Sequence, residues 1–280
     1  MLAALIIVFR EVFEAGLVVG VVLAATRGIA GRGFWIGLGL IGGVAGACAV
    51  AGFAGQIARL FEGSGQEALN ASVLLVAVAM LCWHNAWMAG HGRELAHNLK
   101  AVGREVAEGR RPLAALAIVC GVAVLREGSE VVLFLYGVAA GGSATALDIV
   151  FGGTLGILAG SLVSALLYLG LIAIPLRYLF SALTMLITLL AAGLAAQAVS
   201  FLQQGGWLEI WSDPVWDTSA VLAQDSIIGR VLHTLIGYMD QPTGMALVAY
   251  GATILAMLAL TQAAGISGRQ RRTPSASAAS

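Results

Sequence analysis

Residues 9–17 read FREVFEAGL and lie inside the first apolar run of a 280-residue chain. One arginine and two glutamates, Arg10, Glu11 and Glu14, stand where the residues on both sides belong in hydrocarbon. The pattern returns at 125–133 as LREGSEVVL, with Arg126, Glu127 and Glu130. An ionisable group at the centre of a membrane helix costs about 2.5–3.5 kcal/mol on the insertion scale. Six of them are too many for a helix lock, because buried ion pairs seldom outperform apolar packing. Each arginine can hold one carboxylate, which leaves two of the four glutamates unpaired. Intramembrane charges of this kind mark ion pathways, so the two stretches predict a cation site.

The rest of the chain fits a membrane setting. It is 59% hydrophobic and only 11% charged, with 37 glycines, and its mean hydropathy is +0.92. Soluble domains are roughly 25% charged, so this chain cannot cover itself with a water-compatible surface. Seven runs are long enough to cross a bilayer at about 20 apolar residues each: 2–26, 35–58, 68–89, 113–140, 147–174, 178–203 and 242–264. They are too long and too evenly apolar for barrel strands, which makes the fold class all-α integral membrane. The N-terminal run lacks a basic leader region and is interrupted by charge, so it reads as a retained first span rather than a signal peptide.

Basic residues alternate between the connections. Arg27, Arg32, Arg93, Lys100, Arg104, Arg110, Arg111, Arg177, Arg269, Arg271 and Arg272 fall on one side, while Arg59 and Arg230 fall on the other among acids. The positive-inside rule then places the N-terminus outside and the C-terminus in the cytoplasm. The expected organisation is a permease domain at 1–264, with a first repeat over about 1–89 and a second over about 113–203. An outer loop at 205–241, a seventh helix at 242–264 and a disordered tail at 265–280 complete it.

The echo extends beyond the charges. The two motifs are offset by 116 residues, and Gly39 and Gly43 of the second span recur as Gly156 and Gly160 of the fifth, offset by 117. Three spans per unit require the second copy to be inserted upside down, which gives an inverted 3+3 repeat plus one C-terminal helix. An in-plane axis would bring both motifs to mid-membrane. Acids three residues apart share a helix face, about 4.5 Å apart along the axis, so four carboxylates would converge beside two guanidinium groups. Carboxylate ligands suit hard ions. Four glutamates and two arginines sum to −2 when all are ionised, which mildly favours a divalent ion.

The two Arg-Glu-x-x-Glu motifs, WMAGHGRELAHNLK at 87–100 and WDTSAVLAQDSIIGRVLHTLIGY at 216–238 resemble the high-affinity iron permeases. These are oxidase-linked ferric transporters of fungi and their bacterial relatives in the iron/lead transporter family. The resemblance covers most of the chain and points to the bacterial type. The family motif often carries Gly-Leu between the acids, where this chain has VF and GS. The resemblance implies import of Fe³⁺ across the cytoplasmic membrane, with Glu11, Glu14, Glu127 and Glu130 carrying the ion and Arg10 and Arg126 tuning their charge. It also implies a periplasmic or extracellular iron-binding or ferroxidase partner. The expected partners are therefore the metal ion, the lipid bilayer and such a protein.

Other features are read more plainly. Met80, His84 and Met88 form a helical stripe with His91 nearby, which belongs to a span end where Met packs and His, Trp83 or Trp87 meet headgroups; a role for His84 or His91 in ion exit is the sharper alternative. Glu209, Asp213, Asp217 and Asp225 read as solvated loop acids that could instead concentrate cations. Residues 226–239, SIIGRVLHTLIGYM, read as an amphipathic helix on the outer surface, and Gln197 and Gln203 as polar glue. Cys48, Cys82 and Cys120 are small apolar residues at no metal spacing. With no phosphate loop, no nucleophile–base set and no basic nucleic-acid patch, the chain reads as a transporter rather than an enzyme, with no cofactor beyond the iron it moves. A carrier for Fe²⁺, Mn²⁺ or Pb²⁺ and a membrane metal sensor that binds without conducting are the alternatives.

Overall fold

The computed structural model describes residues 1–60, 66–140, 144–170 and 176–270. Its helices are α1 (Leu2–Ala25), α2 (Arg32–Leu60), α3 (Gln66–Ala107), α4 (Ala114–Ala140), α5 (Ala146–Tyr168), α6 (Leu176–Gln204), α7 (Ile227–Ile236) and α8 (Gly244–Gln270). The protein is all-helical, as its apolar runs require. Five helices, α2, α3, α5, α6 and α8, contain stretches long and apolar enough to cross a membrane. The remaining two long helices, α1 and α4, are the ones interrupted at mid-length by three charges each. The end of the fifth expected run and residues 271–280 of the expected tail lie outside the described residues.

Glycine decides which helices meet. Helix α5 packs on α1, and a Cβ placed on Gly152, Gly156 or Gly160 would stand 2.2, 2.8 or 2.9 Å from the carbonyl oxygens of Met1, Leu5 and Phe9. Helix α2 packs on α4 in the same manner, with Gly39 and Gly43 against the carbonyls of Ala117 and Gly121. Small residues permit this backbone-to-backbone approach, which is how helices associate without a hydrophobic driving force. The glycine helix of each half therefore grips the charged helix of the other half.

Two apolar clusters cap the bundle. Ala3 and Ile7 of α1 meet Leu74, Val78 and Leu81 of α3, Phe134 and Val138 of α4, and α6 residues from Ile187 to Ala198. At the other end Val22 of α1 meets Ile36, Leu99, Val106, Leu116 and Cys120. The start of α1 thus lies with the end of α4 and vice versa, so the two charged helices run antiparallel and their motifs fall between the clusters.

Two segments differ from the sequence reading. Helix α3 does not stop near 89; it runs for 42 residues, about 63 Å at 1.5 Å per residue, well beyond the roughly 30 Å of hydrocarbon. No proline interrupts it, Leu99 and Val106 are buried, and Gly103 lies against Ala25 at the end of α1. It ends where Gly109 turns left-handed at φ 73°, three residues before Pro112.

The amphipathic segment also forms a helix, α7, capped by the Ser226 hydroxyl, which accepts from the Gly229 amide. Instead of lying flat on the surface, its C-cap Gly237 abuts Gly193 of α6, about 16 Å before the end of α6 at Gln204. Backbone at that depth needs internal partners. Tyr250 donates to the Ile236 carbonyl at 2.5 Å, Tyr238 to that of Leu222 at 2.8 Å, and His233 Nδ1 lies 2.7 Å from the Tyr238 carbonyl. The hydroxyl of Thr243 donates to Gln203 at 2.8 Å, the polar glue expected of that side chain.

Candidate metal centre

Helices α1, α3 and α4 bring seven polar side chains into the space between the two apolar clusters. Arg10, Glu11, Glu14, His84, Asn85, Glu127 and Glu130 are all buried, none more than 9% exposed. Both motifs place their acids on the inward face, as the three-residue spacing predicts. Each arginine reaches both glutamates of its own motif. Arg10 Nη1 stands 2.7 Å from Glu11 and its Nε 3.0 Å from Glu14. Arg126 Nε stands 3.2 Å from Glu130 and 3.7 Å from Glu127.

The histidine of α3 joins the halves. His84 Nε2 lies 3.3 Å from Glu14 Oε2, and its Nδ1 is in contact with Glu130 Oε2. The expectation that His84 sits at a span end among headgroups is therefore corrected: it is 3% exposed, at the level of both motifs. The error followed from ending the helix near 89, which put His84 close to a terminus. Its neighbour Asn85 accepts from Arg10 Nη2 at 3.4 Å. The readable signal was a His-Asn pair inside an apolar run, a costly placement in lipid unless it faces other polar groups.

One ligand atom each from Glu11, His84, Glu127 and Glu130 lie within 4.8 Å of one another. Opposite ligands on an ion with bonds near 2.1 Å stand about 4.2 Å apart, so a small inward shift would close this set around a cation. Glu11 Oε2 and Glu127 Oε2 are buried without a hydrogen-bond partner, as is the Asn85 amide nitrogen. The two carboxylate oxygens are orphaned acceptors, and a bound cation would satisfy them. Of the four glutamates expected to converge, three belong to this set. Glu14 stands beside it, with one oxygen on Arg10 and the other on His84.

The arginines differ in setting. The Arg10 side chain is 4% exposed and Arg126 35%. The Arg126 guanidinium lies 4.3 Å above the Trp87 ring, and that ring stacks on His91 at 5.3 Å. Trp87 thus faces the motif, whereas Trp83 is 74% exposed. His91 bonds to the Trp87 carbonyl at 3.2 Å, and Met80 packs on an apolar cluster, so neither joins the set. The outer acids Glu209, Asp213, Asp217 and Asp225 are exposed. Asp217 is occupied by Ser219 and Gln241.

The chain is 31% identical to a protein named ferrous iron permease EfeU from Escherichia coli O6:H1 over 250 residues, covering 87% of this chain and 88% of that one. The protein of the same name from Yersinia pestis is 30% identical over 247 residues, covering 87% and 86%. No solved structure matches the chain. The model of the iron permease FTR1 family matches residues 1–267, and the chain belongs to that family.

Proposed function

We propose that the protein imports iron across the cytoplasmic membrane through a mid-membrane site built from Glu11, Glu127, Glu130 and His84. The observation that carries this reading is the convergence of buried carboxylates with unpartnered oxygens from two charged helices. In this reading α1 and α4 are spans six and seven beside the five apolar ones, their charges turned from lipid toward each other. The antiparallel α1 and α4 and the crossed glycine grips fit an inverted 3+3 repeat, with α8 outside it. The basic ends Arg27, Arg32, Arg104, Arg110 and Arg111 face the cytoplasm, and the N-terminus faces out.

The ion is ferrous in this proposal. An imidazole among the ligands suits a borderline ion better than a hard trivalent one. The relatives' name agrees. Ferric iron is the second reading, favoured by the three carboxylates in the set and by the resemblance to oxidase-linked permeases. An ion entering from outside displaces Arg126 from Glu127 and Glu130, and the repeats rock to release it. Ligand carboxylates must be ionised to bind, so proton uptake on the inner side assists release. An extracytoplasmic iron-binding or oxidising protein would deliver the ion.

The test is uptake into proteoliposomes holding the purified chain, with Fe²⁺ under ascorbate and with chelated Fe³⁺ in separate arms. Saturable Fe²⁺ flux that Glu127→Gln removes is the expected result. Flux only in the Fe³⁺ arm selects the ferric reading. Binding without flux in either arm identifies a sensor.

A further inference from the structure

A cleft of about 780 Å³ opens beside the bundle, outside the metal centre, between α1, α3 and α5. Its floor on α1 runs from Gly16, Leu17 and Val21 to Ala25, and Leu167 and Tyr168 of α5 form one wall. The other wall is the part of α3 that lies beyond its apolar stretch, with His97, Lys100 and Arg104 exposed into it. Lys100 and Arg104 stand at i and i+4, so they share one helix face. Gly103 lies against Ala25, which puts these cations level with the end of α1. The cleft is therefore basic at the membrane interface and apolar over about the next 13 Å of depth toward Gly16.

The charges facing it are uncompensated. Arg110 and Arg111, at the same end of the molecule, are paired with Glu108 and Glu105. Among the described residues neither Lys100 nor Arg104 has an ion pair. A basic rim over an apolar slot is a poor path for a cation and a good seat for a molecule with an anionic head and hydrocarbon tails. A free anion would have no use for the apolar depth.

We propose that this cleft binds an anionic phospholipid, its phosphate on Lys100 and Arg104 and an acyl chain along Leu17, Val21 and Leu167. The proposal does not depend on which ion the protein carries. The test is native mass spectrometry of the purified full chain titrated with phosphatidylglycerol, with phosphatidylcholine of identical chains, and with inorganic phosphate. Phosphatidylglycerol is expected to be retained preferentially, and K100Q/R104Q to weaken it about 30-fold, at roughly fivefold per basic side chain. R110Q/R111Q removes the same charge outside the cleft and is expected to leave retention unchanged. Leu17→Phe keeps both cations and fills the slot, and it should also weaken retention. Equal losses in the two double variants, or no headgroup preference, would overturn the site. Inorganic phosphate displacing phosphatidylglycerol at low millimolar concentration would overturn the lipid as its occupant.

Discussion

Arg10 and Arg126 occupy the same place in two copies of one motif, yet they stand in different surroundings. Arg10 is sealed among Glu11, Glu14 and Asn85. Arg126 is one-third exposed and rests on Trp87. The imbalance comes from α3, whose side chains meet the two motifs unequally. It sends Asn85 toward the first motif and Trp87 toward the second, with His84 bridging the two. Two copies of one motif thus carry one sealed arginine and one that is partly solvated. That is the arrangement a site needs if an ion is to replace one cation without dismantling the rest.

The acids provide the largest way to break this comparison. Glu11→Gln and Glu127→Gln each remove a ligand, and iron uptake in proteoliposomes should fall on the order of 100-fold. Glu14→Gln, beside the set, should cost about tenfold or less. If Glu14→Gln proves as severe as Glu11→Gln in equilibrium iron binding, the set is the symmetric four-glutamate cage after all. Iron binding should also weaken as pH falls, because protons compete for the same carboxylates.

Next come the arginines, read by thermal unfolding in detergent. Arg10→Gln leaves buried carboxylates without their cation and should cost about 3–5 kcal/mol. Arg126→Gln, partly solvated, should cost about 1 kcal/mol. Equal losses would mean that the two settings do not differ energetically. The glycine grips should behave alike, since Gly43 and Gly156 both face backbone oxygens, at 2.7 and 2.8 Å from an added Cβ. Gly43→Ala and Gly156→Ala should each cost about 1–3 kcal/mol by overpacking. A large inequality would show that only one grip holds the bundle.

Trp87→Leu is a finer test, because it removes the ring beneath Arg126 and nothing that touches Arg10. A loss that is larger by about 0.5–2 kcal/mol with Arg126 present than in the background of Arg126→Gln is expected, since the stack on His91 is lost in both. The smallest effect belongs to the outer loop. The Ser219 hydroxyl, then its amide and the Gln241 side chain, hold the Asp217 carboxylate below its ordinary range. The folded value is depressed, so this contribution is full above the unfolded value, about 3.9, and disappears as pH falls through the folded one. The protection factor of the Ser219 amide, its exchange rate referenced to the intrinsic rate at each pH, should accordingly hold at neutral pH and fall only below about pH 4, with Asp217→Asn lower throughout.

Much was legible in the chain itself. The long apolar runs dictate helices because backbone polar groups in lipid must be satisfied internally. The spacing of Arg10, Glu11 and Glu14, and of their echo, dictates a shared face because a helix turns every 3.6 residues. His84 escaped because its role depends on where α3 ends. The Met80–His84–Met88 spacing is that of any helix face and carries no depth. The inward fold of α7 escaped for a similar reason: an amphipathic pattern says that one face is apolar, not whether lipid or protein covers it.

What the sequence determined by itself, then, are the properties set by local chemistry and period: helical class, the two charged motifs and the glycine echo. Tertiary structure alone decided which helix each glycine face grips, and which three of the four glutamates share the centre with His84. It also decided which arginine is sealed and which is partly solvated. The glycine grips are fixed by which helices pack together, and the make-up of the centre by the path of α3 alongside α1 and α4; both are set by packing across the bundle rather than by any pattern along the chain.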